Sequence, residues 1–300
     1  MPMWALSKLQ LEVVNKCNFR CPLCRTLDRD DGVVRRKLSL VELKLIIDPI
    51  RKELTELTLY GTRGEPFVHK NLEGIVSYIK TRTKAKVIIS TNGSLVTRSR
   101  VKRLFELGLD ELTFAIDGTT QEVFAKYRVG GDLAIVLSNM KDCCELKSEL
   151  HANTRIIWQY IPMRTNLHQI DEAKKLAHSL GVDLLKLKYS SSVDSSDDYK
   201  VETEPYPLAE QSVVHHCPSG LDKLYVDPNG DCFPCCYAEG HMGLKIGNAF
   251  SESTSDIWNS GKLWELRRSF VEQKGFNRFC KETCFSKARK KKKIIYDSLC

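Results

Sequence analysis

Short apolar segments alternate with longer segments of helical periodicity between about residue 8 and residue 190. The apolar segments predict six strands: Leu9–Val14, Leu54–Tyr60, Lys86–Ser90, Glu111–Ile116, Arg155–Ile161 and Asp183–Lys188. The segments between them predict helices at Ser39–Arg51, Asn71–Thr81, Thr97–Leu107, Leu133–Leu150 and Gln169–Leu180. Strands and helices alternate in this way where crossover helices join the strands of a parallel sheet. We therefore predict an α/β fold, a partial (β/α)6 TIM-like barrel whose working face lies at the carboxyl ends of its strands.

The pattern changes after residue 190. Ser, Asp, Pro and Glu dominate the next segment, and no periodicity survives there, so a linker or long surface loop is predicted. A β-hairpin around Asp227–Gly230 and a helix at about Ser255–Val271 follow. The predicted organisation is a core at 1–190, a linker at 191–212, a small C-terminal domain at 213–286 and a basic tail at 287–300.

Composition excludes several classes of protein. Hydrophobic residues make up 42% of the chain, as in an ordinary folded protein. No apolar run reaches the roughly 18 residues that a membrane-spanning helix needs. Met1–Lys8 lacks the basic and apolar regions of a secretory signal. We expect a cytoplasmic protein with no membrane partner.

The net charge of +8 is concentrated near the C-terminus. Lys287, Arg289 and Lys290–Lys293 contribute six positive charges without an intervening acidic residue. A run of this kind is typical of a solvated terminal helix. Because no aromatic residue interleaves the run to stack on bases, we do not expect a nucleic-acid partner.

Twelve cysteines indicate metal chemistry, since a reducing compartment keeps thiols available as ligands. Cys17, Cys21 and Cys24 directly follow the first predicted strand. Three thiolates on one short loop can hold three irons of a four-iron cluster and leave the fourth iron open to a small molecule. The alternative is half of a zinc site, but structural zinc takes four ligands and no fourth Cys or His lies close by.

The spacing of these three cysteines resembles the signature of the radical S-adenosylmethionine (SAM) superfamily. Later segments resemble the superfamily's SAM-binding motifs in the expected order: Arg63-Gly64-Glu65-Pro66, Thr91-Asn92-Gly93, Ile116-Asp117-Gly118 and Arg128. The chain departs from the usual motifs at two positions, with Arg63 in place of a glycine and Ala115 in place of a serine. The resemblance implies a [4Fe-4S] cluster at Cys17, Cys21 and Cys24, and S-adenosyl-L-methionine as cosubstrate.

The resemblance also implies roles for individual residues. The Gly-Glu-Pro segment receives the methionine amino group, and the segments around Asn92 and Asp117 contact the ribose and the methionine carboxylate. Arg128 pairs with that carboxylate, since a guanidinium can donate two parallel hydrogen bonds, and Leu23 touches the adenine. The full set of SAM-binding candidates is Leu23, Gly61, Gly64, Glu65, Pro66, Thr91, Asn92, Gly93, Asp117 and Arg128.

The C-terminal cysteines have a second resemblance. Their spacing, together with Gly230, Gly247-Asn248, Asp256-Ile257-Trp258 and Arg267, is similar to a SPASM-type extension, which binds auxiliary iron–sulfur clusters. It implies one auxiliary [4Fe-4S] cluster with four ligands: Cys217, Cys235, Cys280 and Cys284. Cys236 is an alternative to Cys235, and a zinc site at the same four cysteines is an alternative to the cluster.

Five cysteines have no place in these two sites: Cys143, Cys144, Cys232, Cys236 and Cys300. Most are expected to be ordinary buried residues. A thiol near the substrate can instead give a hydrogen atom to a carbon radical. Cys232 and Cys236 lie closest in sequence to the auxiliary ligands and are therefore the candidate hydrogen donors.

The implied activity is reductive cleavage of SAM to a 5′-deoxyadenosyl radical, which takes hydrogen from an unactivated C–H bond. The product is oxidised or epimerised, and the electron comes from a donor such as flavodoxin or ferredoxin. The first strand begins by about Lys8, which leaves no room for an N-terminal peptide-recognition domain. This favours a small polar substrate, such as a sugar or aminoglycoside, over a maturase that modifies a peptide or protein side chain. A non-catalytic iron–sulfur carrier or a nucleic-acid-binding protein would not need the SAM motifs.

Overall fold

The computed structural model describes residues 5–24, 35–188, 220–239, 241–272, 278–280 and 294–298. The predicted linker at 191–212 and the basic run at 287–293 lie outside these ranges. So do Cys217, Cys284 and Cys300. None of the helices in the described ranges is both long enough and apolar enough to cross a bilayer.

The described residues form ten strands, together with eight α-helices that each have five or more residues. The strands are β1 Lys8–Leu11, β2 Glu56–Leu59, β3 Lys86–Thr91, β4 Glu111–Ala115, β5 Arg155–Tyr160, β6 Leu184–Lys188, β7 Lys223–Val226, β8 Asp231–Phe233, β9 Gly247–Asn248 and β10 Ile294–Ser298. The helices are α1 Leu40–Ile47, α2 Leu72–Arg82, α3 Arg98–Glu106, α4 Gln121–Tyr127, α5 Leu133–Glu149, α6 Ile170–Ser179, α7 Thr254–Trp258 and α8 Gly261–Glu272. The six strands predicted before residue 190 are all present.

The chain forms two compact units, each assembled from separate segments. The first contains the described residues within 1–16, 30–89 and 214–286. Its strands follow the order β3-β2-β1-β7-β8-β9, parallel as far as β7 and antiparallel beyond it. Leu9 lies opposite Leu57 on one side and Leu224 on the other. The C-terminal hairpin therefore continues the sheet that contains β1, a pairing that sequence analysis did not predict.

The second unit contains the described residues within 17–29, 90–213 and 287–300. Its strands follow the order β10-β6-β5-β4, with β4, β5 and β6 parallel. Every residue of β4 is buried, as expected for a strand that is covered on both faces. The side chains of Phe114 and Trp158, on β4 and β5, are fully buried in this core.

Local chemistry sets several element boundaries. Ser39 and Glu42 form a capping box at the start of α1, in which each side chain accepts a hydrogen bond from the other's backbone N–H. Asp132 caps α5 by accepting from the backbone N–H groups of residues 134 and 135. Gly108 and Gly181 follow α3 and α6 with φ values of 77° and 74°, a conformation that favours glycine where a helix ends.

Three elements differ from prediction. The helix predicted at Ser255–Val271 is divided into α7 and α8, because Asn259 and Ser260 end the first helix before Gly261 begins the second. Helix α4 was not predicted. Strand β10, which pairs antiparallel with β6, lies inside the predicted basic tail.

Candidate functional site

The cysteine loop belongs to the second unit and begins directly after residue 16. Cys21 is buried, whereas Cys17, Leu23 and Cys24 are partly buried. A turn closed by the Cys24 N–H and the Cys21 carbonyl oxygen, 3.0 Å apart, links the last two cysteines. Within the described ranges, no three His, Cys, Asp or Glu side chains are gathered closely enough to hold a metal ion. The ligand assignment therefore depends on the chemistry of the loop and remains a prediction.

N–H groups lie within hydrogen-bonding distance of two of the three sulfur atoms. The Cys17 Sγ lies 3.4 Å from the Phe19 backbone nitrogen and 3.8 Å from the Asn92 Nδ2. The Cys21 Sγ lies 3.8 Å from the Arg128 Nη1. Hydrogen bonds of this kind stabilise negative charge on sulfur and tune iron–sulfur clusters. The donor set therefore fits a cluster held by thiolates.

The Cys21 thiol also shows why a metal is needed to form its thiolate. Burial raises the pKa of this thiol above its usual range, and the Arg128 guanidinium acts in the opposite direction without cancelling the effect. The protein without metal therefore keeps this group protonated at neutral pH. Binding of iron would release the proton, as is general for thiolate ligands.

Arg128 forms a largely buried ion pair with Asp117. Its Nε and Nη2 atoms lie 2.7 and 2.6 Å from the Asp117 Oδ2, while the Ile161 N–H donates to the Oδ1 at 2.6 Å. Asp117 is fully buried. Although burial alone would lower the pKa of Arg128, Asp117 raises it, so this side chain stays a cation. Asp117 thus orients Arg128 toward Cys21, a role that its sequence motif did not indicate.

Asn92 connects the Thr-Asn-Gly segment to the cysteine loop. Its Nδ2 donates to the Asn18 Oδ1 at 2.9 Å, and its Oδ1 accepts from the Ser94 backbone N–H at 3.0 Å. Gly93 has φ of 81°, and a Cβ there would lie 2.8 Å from the Phe114 ring. Thr91 stabilises this turn by accepting from the Gly93 N–H at 3.0 Å. Two SAM-binding candidates therefore contact the cysteine loop, Asn92 at Cys17 and Arg128 at Cys21, and a third, Asp117, holds Arg128.

The Gly61–Pro66 segment belongs to the first unit and follows β2. A Cβ on Gly64 would lie 1.6 Å from the Val14 carbonyl oxygen, and one on Gly61 would lie 1.9 Å from the Gly64 carbonyl oxygen. Both positions therefore require glycine. Glu65 is buried, its N–H donates to the Lys16 carbonyl oxygen at 3.0 Å, and its carboxylate accepts from the Phe67 N–H at 3.1 Å. Pro66 starts the short 3₁₀ helix that follows.

A buried polar network adjoins this segment, and sequence analysis missed it. Glu12 is fully buried, and its two carboxylate oxygens accept from the Arg63 N–H at 2.7 Å and the Tyr225 hydroxyl at 2.6 Å. The Arg63 Nε donates to the Glu239 Oε1 at 2.7 Å. The signals available in sequence were a glutamate at the end of an apolar strand and the Arg that replaces a motif glycine.

Glu12 gives the first unit a predicted pH dependence. Burial, with the nearby Glu239 and Asp227 carboxylates, raises its pKa from 4.5 to about 8, against the opposing hydrogen bonds from Tyr225 and Arg63. Between these values the native state holds a proton that the unfolded chain has released. The stabilisation from this proton is complete below about pH 4.5 and is lost as the pH rises to about 8, at a slope on the order of 1 kcal/mol per pH unit.

A Glu12→Gln variant is expected to remove this dependence, because an amide has the shape of the protonated carboxyl group, with one accepting oxygen and one donor, and does not titrate. Its thermal midpoint should rise relative to that of the native protein as the pH increases from 6 to about 8.5. Lys8→Gln provides the control, since Lys8 lies on the same unit in a half-exposed pair with Asp222. Equal pH dependence of native protein and Glu12→Gln would show that Glu12 titrates normally.

The C-terminal cysteines that the structure describes lie in the first unit. Cys235, Cys236 and Cys280 are partly buried, while Cys232 is fully buried on β8. Burial raises the pKa of Cys232 strongly, so its thiol stays protonated. Cys143 and Cys144 are buried on α5, and burial raises the pKa of Cys144 to about 12.

Comparison with known families matches both halves of the chain. The profile of the radical SAM superfamily matches residues 11–183, and that of SPASM, an iron–sulfur cluster-binding domain, matches residues 217–285. The cofactor-modifying protein of the tungsten-containing aldehyde ferredoxin oxidoreductase of Pyrococcus furiosus is 26% identical, over 86% of this chain and 82% of that protein. The mycofactocin maturase MftC of Mycobacterium tuberculosis is 25% identical, over 86% of this chain and 72% of that protein. A GTP 3′,8-cyclase of Clostridium perfringens is 29% identical, but the match spans only 53% of its length.

Solved structures show the same fold. SuiB of Streptococcus suis, bound to S-adenosylmethionine, superposes with a TM-score of 0.69 at 16% identity, covering 95% of this chain and 72% of that one. BtrN, in complex with AdoMet and 2-DOIA, gives a TM-score of 0.54 at 16% identity, over 90% and 89%. These matches confirm the predicted fold class, a mostly parallel α/β sheet consistent with an incomplete barrel, with antiparallel strands in the C-terminal extension.

Proposed function

Because this chain belongs to the radical SAM superfamily, we propose that it cleaves S-adenosylmethionine reductively and removes a hydrogen atom from a small polar molecule. Its two domains imply SAM, a [4Fe-4S] cluster and auxiliary iron–sulfur binding. The observation that carries the proposal is the set of N–H donors that Phe19, Asn92 and Arg128 direct at the sulfur atoms of Cys17 and Cys21. Such donors serve a loop that holds thiolates rather than thiols.

The proposed roles of the residues in the second unit are to bind the cluster and to orient the groups around it. Cys17, Cys21 and Cys24 would hold the cluster, and when bound it supplies the electron that breaks a carbon–sulfur bond of SAM to generate the hydrogen-abstracting radical. Arg128 keeps a positive charge beside Cys21 because Asp117 fixes two of its nitrogens. Asn92 holds the cysteine loop through Asn18. The burial of Cys21 and Asp117 excludes water from this part of the loop.

The C-terminal extension would hold an auxiliary cluster through Cys217, Cys235, Cys280 and Cys284, with Cys236 as the alternative to Cys235. Such a cluster can accept an electron from a product radical, which makes the reaction a net oxidation. If a thiol supplies a hydrogen atom instead, the product is an epimer, and the thiyl radical left on sulfur takes one electron from the electron donor and one proton from solvent. Cys236 is the better donor candidate, because Cys232 is fully buried on β8.

A sugar or aminoglycoside-like molecule is our first candidate substrate, and a flavodoxin or ferredoxin is the proposed electron donor. The relative from Pyrococcus furiosus, named as a cofactor-modifying protein, supports a substrate other than a polypeptide. The second candidate is a peptide or protein side chain, which the match to a maturase over 86% of this chain favours.

The test uses anaerobically reconstituted protein with a reductant, SAM, and candidate sugars, aminoglycosides and peptides deuterated at carbon. We expect about eight irons per chain, in two four-iron clusters. A sugar or aminoglycoside should stimulate formation of 5′-deoxyadenosine and transfer deuterium into it. Transfer from a peptide alone would replace the first candidate by the second. Absence of SAM cleavage in iron-loaded protein would contradict the proposed activity itself.

A further inference from the structure

Arg63 occupies a motif position where the superfamily usually has glycine, and its side chain is not directed to solvent. The Arg63 Nε lies 2.7 Å from the Glu239 Oε1, and the two side chains are only 7% and 6% exposed. Glu239 directly follows the short 3₁₀ helix Cys236–Ala238. An ion pair this deeply buried is costly to form and costly to break on one side only.

The backbone of Arg63 is fixed as well as its side chain. Its N–H donates to the Glu12 Oε1, and the other oxygen of Glu12 accepts from Tyr225 on β7. Gly64, the next residue, lies so close to the Val14 carbonyl that no side chain fits. A shift of Arg63 would therefore move Gly64 and Glu65, since these residues follow it directly in the chain and Gly64 is tightly packed.

A second contact joins the same two segments. The Tyr60 hydroxyl lies next to the Cys236 thiol, and the Tyr60 ring packs against Tyr225 with centroids 6.5 Å apart. Tyr60 precedes the Gly61–Pro66 segment, whereas Arg63 lies inside it. The segment is thus attached at two points to residues 236–239, beside the candidate auxiliary ligand Cys235.

We propose that Arg63 is a positioning residue that fixes the Gly64-Glu65-Pro66 loop against the Cys236–Glu239 segment, so that affinity for SAM depends on the Arg63–Glu239 ion pair. The inference rests on the proposed function, because it assumes that this loop receives SAM. It assigns to residues of the C-terminal extension an influence on SAM binding.

The experiment compares reconstituted native protein with Arg63→Met, Arg63→Lys and Glu239→Gln. For each protein the experiment measures the Kd for SAM and the kcat for formation of 5′-deoxyadenosine at saturating SAM. It also measures the iron content and the thermal midpoint. Arg63→Met should raise the Kd for SAM by about tenfold or more and change kcat at saturation by less than about threefold, since a misplaced loop weakens binding before it affects the chemical step.

The conservative variants distinguish positioning from general damage to the fold. Arg63→Lys keeps the charge and should recover part of the affinity, while Glu239→Gln keeps an acceptor and should give an intermediate Kd. The double variant Arg63→Met/Glu239→Gln should bind SAM no more weakly than Arg63→Met, because the two residues act through one contact. Lys8→Met, which removes the half-exposed pair with Asp222, should leave the Kd unchanged.

An unchanged Kd in iron-loaded Arg63→Met would overturn the inference. If Arg63→Met does not fold, an unchanged Kd in folded Glu239→Gln would overturn it equally. A native protein that loads iron but binds no SAM would instead count against the proposed function, so the two failures are distinguishable.

Discussion

Replacing Cys21 with Ala is expected to reduce the formation of 5′-deoxyadenosine to background. A four-iron cluster that is open at one iron has only three protein ligands, and the loss of one leaves too few to retain it. Cys21 is the buried member of the loop and the one beside Arg128. Iron content should fall by about four atoms per chain, from about eight to about four, because the auxiliary ligands are separate.

Cys144→Ala is the matched control, since it removes another buried thiol from the same unit without touching the loop. It should leave iron content and SAM cleavage unchanged. Full turnover by Cys21→Ala would show that the cluster has other ligands. Loss of all iron from Cys21→Ala would show that the two metal sites do not form independently.

Replacing Asp117 with Ala is expected to destabilise the protein by about 3 kcal/mol, because it leaves the largely buried Arg128 guanidinium without its anion. The two nitrogens that now contact the Asp117 Oδ2 would lose their acceptor, and the Ile161 N–H would lose its own. The midpoint of chemical unfolding, measured anaerobically on iron-loaded protein, gives the comparison.

Asp171→Ala is the control, because the Asp171 side chain is 82% exposed in its pair with Lys174, and its loss should cost less than about 1 kcal/mol. Asp117→Ala/Arg128→Met should be less destabilised than Asp117→Ala alone, since it removes the uncompensated charge. If the double variant were the less stable of the two, the unpaired charge would not be the source of the cost.

The sequence predicted the elements of the core because their patterns are strong and local. Strand β3 shows this, since its apolar residues Val87–Ile89 form an uninterrupted run and all three are β-branched. Helix α4 escaped prediction because it has seven residues and only Val123 and Phe124 are buried, too few to show a period. Strand β10 escaped because its partner β6 lies more than 100 residues away in sequence.

In the candidate site, too, local features could be predicted from sequence and contacts between distant segments could not. Cys17, Asn92, Asp117 and Arg128 are predicted site residues because each lies in a short motif that can be recognised from its neighbours in sequence. The pairing of Asp117 with Arg128, and the network from Glu12 to Glu239, could not be predicted, because which polar groups meet inside a protein depends on the packing of distant segments. Glu12 and Tyr225 are 213 positions apart, and neither lies in a motif that names the other.

The parallel pairing of β7 with β1 determines what a shortened version of this enzyme would be. A chain cut before the extension would strip β1 of one hydrogen-bonded neighbour along its whole length, from Lys8 to Leu11. The backbone N–H and C=O groups exposed there would make β1 an edge strand, which can pair with strands of other molecules. The extension therefore supplies a central part of the sheet that contains β1, and we expect a chain that lacks it to aggregate.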